Sequence, residues 1–212
     1  MIAVRGLALV QRYDRTVALG PLDLELHSGE ALAVLGDNGA GKTTLLRLLA
    51  TAARPAAGRL ELFGLDASRQ RDRLRARLGF VGHQPGFYPN LTALENLEFF
   101  ATLQGLPRDR AQEALSLVEV PNRRAGELSR GLQQRLALAR AVMHAPELLI
   151  LDEPDASLDE GGRALLGRLL KDRTVVLATH DRALARSLCG RSMLLRAGRD
   201  VGDPWQLGLV EA

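Results

Sequence analysis

The residues best equipped for chemistry are Gly36-Asp37-Asn38-Gly39-Ala40-Gly41-Lys42-Thr43-Thr44. They follow a short apolar run, Ala31 to Leu35, and precede Leu45 to Leu49, which has helical character. A buried strand, a glycine turn and a helix N-terminus, in that order, make a cradle for phosphate. The glycines let the turn curl with its amide N–H groups inward, and the helix end adds partial positive charge. Lys42 is placed to reach β- and γ-phosphates as a point charge, and Thr43 to offer its hydroxyl to Mg²⁺. A plain glycine turn is the competing explanation, and the flanking strand and helix argue against it. The loop implies a bound nucleoside triphosphate, and the remaining residues must say what it is used for.

Three more buried runs end in polar residues: one before Gln84, one at Asp152-Glu153 and one before His180. A single polar strand end means little, but four around a phosphate loop describe a hydrolytic site. Asp152 suits Mg²⁺, through water. Glu153 beside it suits the general base that polarises the attacking water. Gln84 can orient that water or the metal. His180 alone would read as a structural histidine; at the end of an apolar run it suits a donor to the γ-phosphate. Tyr13, in a loop before the phosphate-binding strand, reads either as a packing residue or as an aromatic that stacks on a nucleobase.

The elements that must position these groups follow from periodicity. Residues 2–10 and 22–26 read as strands, the second alternating as in a half-buried antiparallel sheet. A further alternating strand is expected over 59–64, a short charged helix over 69–77 and a buried strand over 78–82. From Thr92 the pattern turns helical, with Thr92 as N-cap and Glu95 in the capping-box position. Leu94, Leu97, Phe100 and Leu103 mark its expected apolar face, and a second helix is expected over 110–118. The helix opening after Ser129 carries the stripe Leu132, Leu136, Ala139, Val142 and Met143. Buried strands over 148–151 and 174–178 enclose a helix over 160–171. A helix over 181–188, an edge strand over 193–196 and a loose C-terminal stretch complete the pattern. Strands alternating with helices imply a mainly parallel sheet with ligands at the strands' carboxyl ends.

Composition narrows the class. A chain of 212 residues, 46% hydrophobic and 25% charged, can bury a sizeable core. No run approaches the roughly 18 apolar residues of a membrane span, and no secretory signal pattern opens the sequence. The one cysteine, Cys189, excludes an internal disulfide framework and fits a reducing compartment. Net charge is +3 with arginines scattered singly, so no nucleic-acid partner is expected.

Taken together these motifs resemble the ATP-binding subunits of ABC transporters over essentially the whole chain. The matching segments are the phosphate loop at 36–44, Gln84, the signature Leu128-Ser129-Arg130-Gly131-Leu132, and Leu148 to Glu153. Ala156-Ser157-Leu158-Asp159 and His180 follow. The signature separates this family from kinases and GTPases that carry the same loop. The resemblance implies an α/β fold of the P-loop NTPase, ABC-type ATPase class: a mainly parallel core sheet, an antiparallel β subdomain and a helical insert. One domain, 1–212, is expected, with a core of about 1–87 and 129–212 and a helical subdomain of about 88–128.

The resemblance also implies ATP and Mg²⁺ as cofactors and a head-to-tail pair of such subunits. Each ATP would be sandwiched between one subunit's phosphate loop and the other's signature helix. Ser129 and Gly131 would then meet the γ-phosphate in trans, Asp159 would lie along the dimer seam, and Tyr13 would stack on adenine. Integral-membrane transporter subunits are the implied partners, and the cytoplasmic face of the inner membrane the implied location. Phe87, Tyr88 and the insert would either line a groove for a membrane partner or belong to the core. Two positions depart from the usual signature: Arg130 replaces a glycine and Leu132 a glutamine, so contacts made by those two are not carried over. Asp155 also stands where an uncharged residue is commoner. Gly82-His83-Gln84-Pro85-Gly86 with Leu91-Thr92-Ala93-Leu94-Glu95-Asn96-Leu97 is most similar to the haem exporter ATPase of bacterial cytochrome c maturation. A generic exporter of drug, lipid or peptide is the alternative, with a soluble non-transport ABC ATPase behind it.

Overall fold

The computed structural model describes residues 1–84 and 86–206. In chain order, β1 (Ile2–Tyr13) and β2 (Thr16–His27) form a hairpin, and β3 (Ala31–Leu35) leads through the phosphate loop into α1 (Lys42–Leu49). β4 (Ala57–Leu62), β5 (Leu65–Asp66), α2 (Arg71–Arg75) and β6 (Leu78–Val81) follow. Next come α3 (Ala93–Leu103), α4 (Asp109–Val118) and α5 (Arg130–Val142). β7 (Leu148–Asp152), α6 (Glu160–Leu170), β8 (Thr174–Ala178), α7 (Arg182–Leu188), β9 (Arg191–Arg196) and β10 (Arg199–Asp200) complete the described chain.

Two sheets result. The antiparallel one has the order β2-β1-β4-β5, and the six-stranded one the order β10-β9-β3-β8-β7-β6. In the second, β9, β3, β8, β7 and β6 run parallel, so their carboxyl ends share one edge. Those strands read as continuous apolar runs because both faces are covered. Leu32, Val34, Leu148, Ile150, Val176, Met193 and Leu195 pack with α1 and the antiparallel sheet. The alternate residues Ala33, Leu35, Leu149, Leu151, Val175, Leu177 and Leu194 pack with α3 to α7. Period two thus assigns each residue to one of two cores.

Several expectations are corrected. The first two strands extend to Tyr13 and from Thr16, so Tyr13 is the last residue of β1, paired with Thr16, rather than a loop residue. β9 is no edge strand: β3 on one side and β10 on the other take its hydrogen bonds. The stretch after Arg196 is ordered by that same β10 pairing, by Leu194 N–H donating to the Gly202 carbonyl at 3.0 Å and by Trp205 packing on the core. Residues 207–212 lie outside the described residues.

The capping box at α3 forms in both directions, Thr92 accepting from the Glu95 N–H and Glu95 from the Thr92 N–H. The buried face of that helix is Ala93, Asn96, Leu97 and Ala101, whereas Leu103 is 68% exposed. Asn96, fully buried, satisfies its amide on the 88–92 backbone: Oδ1 accepts from Tyr88 N–H at 2.8 Å, and Nδ2 donates to the carbonyls of Tyr88, Leu91 and Thr92. Phe87 packs partly into the core while Tyr88 is exposed. On α5, Leu136, Ala139, Val142 and Met143 are buried, and Leu132 only partly so.

Candidate active site

The phosphate loop is held from outside. Gly41, the N-cap of α1, has φ +104, and a Cβ there would lie 2.7 Å from the Ala18 carbonyl oxygen on β2. Gly36 has φ +143, with a Cβ position 2.4 Å from the Leu195 carbonyl oxygen on β9. Both glycines are therefore required by conformation and by close backbone approach. The turn at Gly198 clamps the third side, its N–H donating to the Ala40 carbonyl at 2.9 Å and its carbonyl accepting from Gly20 N–H at 2.6 Å.

α1 begins with no side-chain cap and no acidic residue in its first turn. Its N-terminal amides and partial positive charge are thus left to an external anion. Lys42 is buried, and its Nζ donates to the carbonyls of Gly36 at 2.7 Å and Asp37 at 3.1 Å. These contacts hold the ammonium over the loop.

A cleft of about 280 Å³ opens here, lined by Tyr13, Ala18, Asp37 to Thr44 and Glu153. Tyr13, from the tip of the β1–β2 hairpin, thus joins the phosphate loop although 24 residues separate it from Asp37. Glu153 arrives from the end of β7. Its backbone sits in the left-handed region at φ 50, costly for a non-glycine residue, and its N–H donates to the Ala178 carbonyl at 2.8 Å. Nε2 of His180, just past β8, lies 2.5 Å from Oε1 of Glu153, so the imidazole orients the carboxylate.

Asp152 ends β7 with 3% of its surface exposed. Asp152 does not line the cleft, whereas Thr43, exposed, does; each carries hard oxygen of the kind Mg²⁺ takes. Among the described residues no group of three or more His, Cys, Asp or Glu could hold a metal by itself. Gln84, exposed after β6, lies at the same sheet edge but does not line the cleft.

Ser129, Gly131 and Asp159 do not line the cleft of their own chain. They gather instead at the start of α5 and α6. Ser129 caps α5, accepting from the Leu132 N–H, and a Cβ on Gly131 would lie 2.6 Å from the Ser157 carbonyl oxygen. Asp159 caps α6 through the Gly162 N–H at 2.8 Å and takes Arg135 at 2.5 Å. The Arg135 guanidinium and that N–H hold the Asp159 carboxyl below the usual range. Sequence reasoning missed Ala18 and Arg135. Neither carries a local signal, since each owes its place to a strand or helix partner distant in the chain.

The family model described as ABC transporter matches residues 19–156. The Nod factor export ATP-binding protein I of Cupriavidus pinatubonensis is 35% identical over 95% of this chain and 66% of its own length. The bacitracin transport ATP-binding protein BcrA of Bacillus licheniformis is 37% identical over 81% of this chain and 60% of its own. The chain thus spans less than two thirds of the length of these two relatives. The dimeric post-hydrolysis structure of the ATP-binding cassette MJ0796 with ADP and Pi superposes at a TM-score of 0.87, with 29% identity, 94% of this chain and 97% of that one covered. The chain belongs to the ABC transporter family, and its fold is that of the family's ATP-binding domain, an ATPase fold.

Proposed function

We propose that this chain binds and hydrolyses ATP as the energising subunit of a membrane exporter. The observation that carries the reading is the convergence of Tyr13, the phosphate loop and Glu153 on one cleft, with His180 touching Glu153. In this reading ATP lies on the loop amides and the α1 N-terminus, Lys42 meets the β- and γ-phosphates, and Tyr13 stacks on adenine. Thr43, and Asp152 through water, would hold Mg²⁺, which would supply neutralisation of phosphate charge. Gln84 orients the water or the ion.

Glu153 takes a proton from water as the water oxygen attacks Pγ. The bond from Pγ to the β–γ bridging oxygen breaks, giving ADP and inorganic phosphate. The Nε2–H of His180 serves one acceptor at a time. Passed from Glu153 to the γ-phosphate, it leaves the carboxylate free to receive the water proton.

Ser129, Gly131 and Asp159 lie off the cleft of their own chain, which supports their use in trans. Two copies would then pack head to tail, with α5 aimed at the partner's γ-phosphate and Asp159 along the seam. The dimeric state of the MJ0796 relative supports the same assembly. Binding closes the pair and hydrolysis reopens it, moving integral-membrane subunits at the cytoplasmic face of the inner membrane. Among the described residues no helix is long and apolar enough to cross a membrane. Exposed Tyr88, Phe99 and Leu103, on the helical subdomain of about 88–128 and its edge, offer an apolar surface for those subunits.

At finer grain, Gly82-His83-Gln84-Pro85-Gly86 supports haem export for cytochrome c maturation, although Pro85 lies outside the described residues. The names of the relatives, Nod factor export and bacitracin transport, support a generic exporter.

The direct test is Glu153→Gln. The variant is expected to lose about 100-fold or more in hydrolysis and to accumulate as an ATP-bound dimer. A monomer that persists with ATP would overturn the paired-subunit reading. Haem staining of c-type cytochromes in cells lacking the chain, complemented with wild type or Lys42→Ala, separates the cargoes.

A further inference from the structure

Beside the phosphate loop lies a second recess of about 140 Å³, which shares Asp37 with the nucleotide cleft. Its other walls include Thr179, His180, Arg182, Leu194 and Arg196. The recess exists because β9 runs parallel to β3, which brings Arg196 to the same sheet edge as the loop and His180. At half the volume of the nucleotide cleft, it has room for a single phosphate with water but not for a nucleotide.

Its charge is unusual. Arg182 and Arg196 are exposed, and neither guanidinium makes a hydrogen bond or ion pair with a described residue. Two unpaired guanidiniums on one small recess, against the single carboxylate of Asp37, favour an oxyanion, which the planar fork binds in bidentate fashion. The recess is also next to the chemistry. Glu153 lines the cleft, His180 lines the recess, and the two side chains meet at 2.5 Å.

We propose that this recess is a transient site for the inorganic phosphate produced by hydrolysis, with Arg182 and Arg196 as its anion-binding groups and the Glu153–His180 contact as the point it passes. The proposal rests on the ATP-hydrolysing function argued above. It adds a product site to a reaction whose substrate site is the loop.

The experiment is calorimetric titration of inorganic phosphate into the full chain saturated with ADP. Wild type is expected to bind phosphate at millimolar concentration. The double variant Arg182→Gln/Arg196→Gln is expected to bind it about tenfold more weakly or worse, with unchanged ADP affinity and thermal stability. Two outcomes overturn the proposal: no phosphate binding by wild type, or equal affinity in the double variant. So does a double variant that keeps phosphate affinity but loses ATP-driven self-association, which would assign the arginines to a seam between copies. Absence of ATP hydrolysis by wild type would sink the functional reading instead, and steady-state assay of the same sample reports it separately.

Discussion

Nε2 of His180 lies 2.5 Å from Oε1 of Glu153, and the two residues follow strand ends that are neighbours in register, Asp152 opposite Ala178. Glu153 is therefore held twice, its side chain by His180 just past β8 and its N–H by the Ala178 carbonyl at the end of β8. That double hold maintains the left-handed backbone of Glu153, a conformation that costs about 1–3 kcal/mol outside glycine. With the imidazole removed, the carboxylate loses its orientation and, on the proposed function, the γ-phosphate loses a donor. His180→Ala is expected to lower kcat for ATP hydrolysis about 100-fold while ATP binding stays near wild type. Stopped assays paired with equilibrium ATP titration check this. A pure rise in KM would show that His180 serves binding rather than the chemical step.

The glycines of the phosphate loop are not equivalent. Gly39 has φ +78 but nothing within 4 Å of a Cβ, whereas at Gly41 a Cβ meets backbone on two sides, Ala18 O at 2.7 Å and Gly198 Cα at 3.3 Å. Gly39→Ala is expected to cost only the left-handed penalty, about 1–2 kcal/mol. Gly41→Ala adds a clash that backbone must absorb, and is expected to cost more than about 3 kcal/mol and to abolish ATP binding. Urea denaturation of the two variants gives the comparison, and equal losses would refute the clash.

Stability should also carry a pH signature at the far end of the sheet. Arg77, entering β6, donates to both oxygens of Glu147, entering β7, at 2.5 and 2.7 Å. The arginine holds the Glu147 carboxyl below its ordinary 4.5. The folded state thus favours the ionised form. Its contribution is complete above the ordinary value and is lost as pH falls through the depressed one. Both side chains are partly exposed, so the pair is worth at most about 1 kcal/mol. Glu147→Gln is expected to be less stable than wild type at neutral pH, with the gap closing as pH falls below 4.5. Urea midpoints across that range measure it.

Features that depend on local sequence were legible before the fold was known. The phosphate loop was, because glycine is demanded by backbone conformation within the loop itself. The strands β3, β7 and β8 were, because a strand covered on both faces is apolar at every position. Thr92 and Glu95 were, because a capping box closes within one turn. What stayed hidden depended on which element lies beside which. Nothing near Arg196 says that β9 joins β3, so neither its inner place in the sheet nor the recess it helps to wall could be read. The position of Tyr13 required the β1–β2 hairpin to reach the loop. Asp159 was marked only by the resemblance of Ala156-Ser157-Leu158-Asp159, and its Arg135 partner was not marked at all.

The face of α3 shows the same limit at the scale of one helix. Spacing of the large apolar residues selects Leu94, Leu97, Phe100 and Leu103; Leu97 is buried and Leu94 and Phe100 pack partly on the core, but the rest of the fully buried face is Ala93, Asn96 and Ala101. Alanines carry little weight in such a pattern, but they let helices approach closely, and Asn96 is admitted because its amide is fully hydrogen-bonded. The apolar residues left over, Phe99 and Leu103, are exposed, and the Phe99 ring meets that of Tyr88 edge-on at 5.0 Å. Leu97 and Leu103, chemically identical and six residues apart, should therefore separate. Leu97→Ala opens a cavity in the core and is expected to cost about 2–5 kcal/mol. Leu103→Ala is expected to change stability by no more than about 0.5 kcal/mol. On the proposed function it should instead weaken coupling of ATP hydrolysis to the membrane subunits. Thermal or urea unfolding of the isolated chain, followed by transport-coupled ATPase assay of the assembled complex, distinguishes the two positions. A large stability loss at Leu103 would return it to the core.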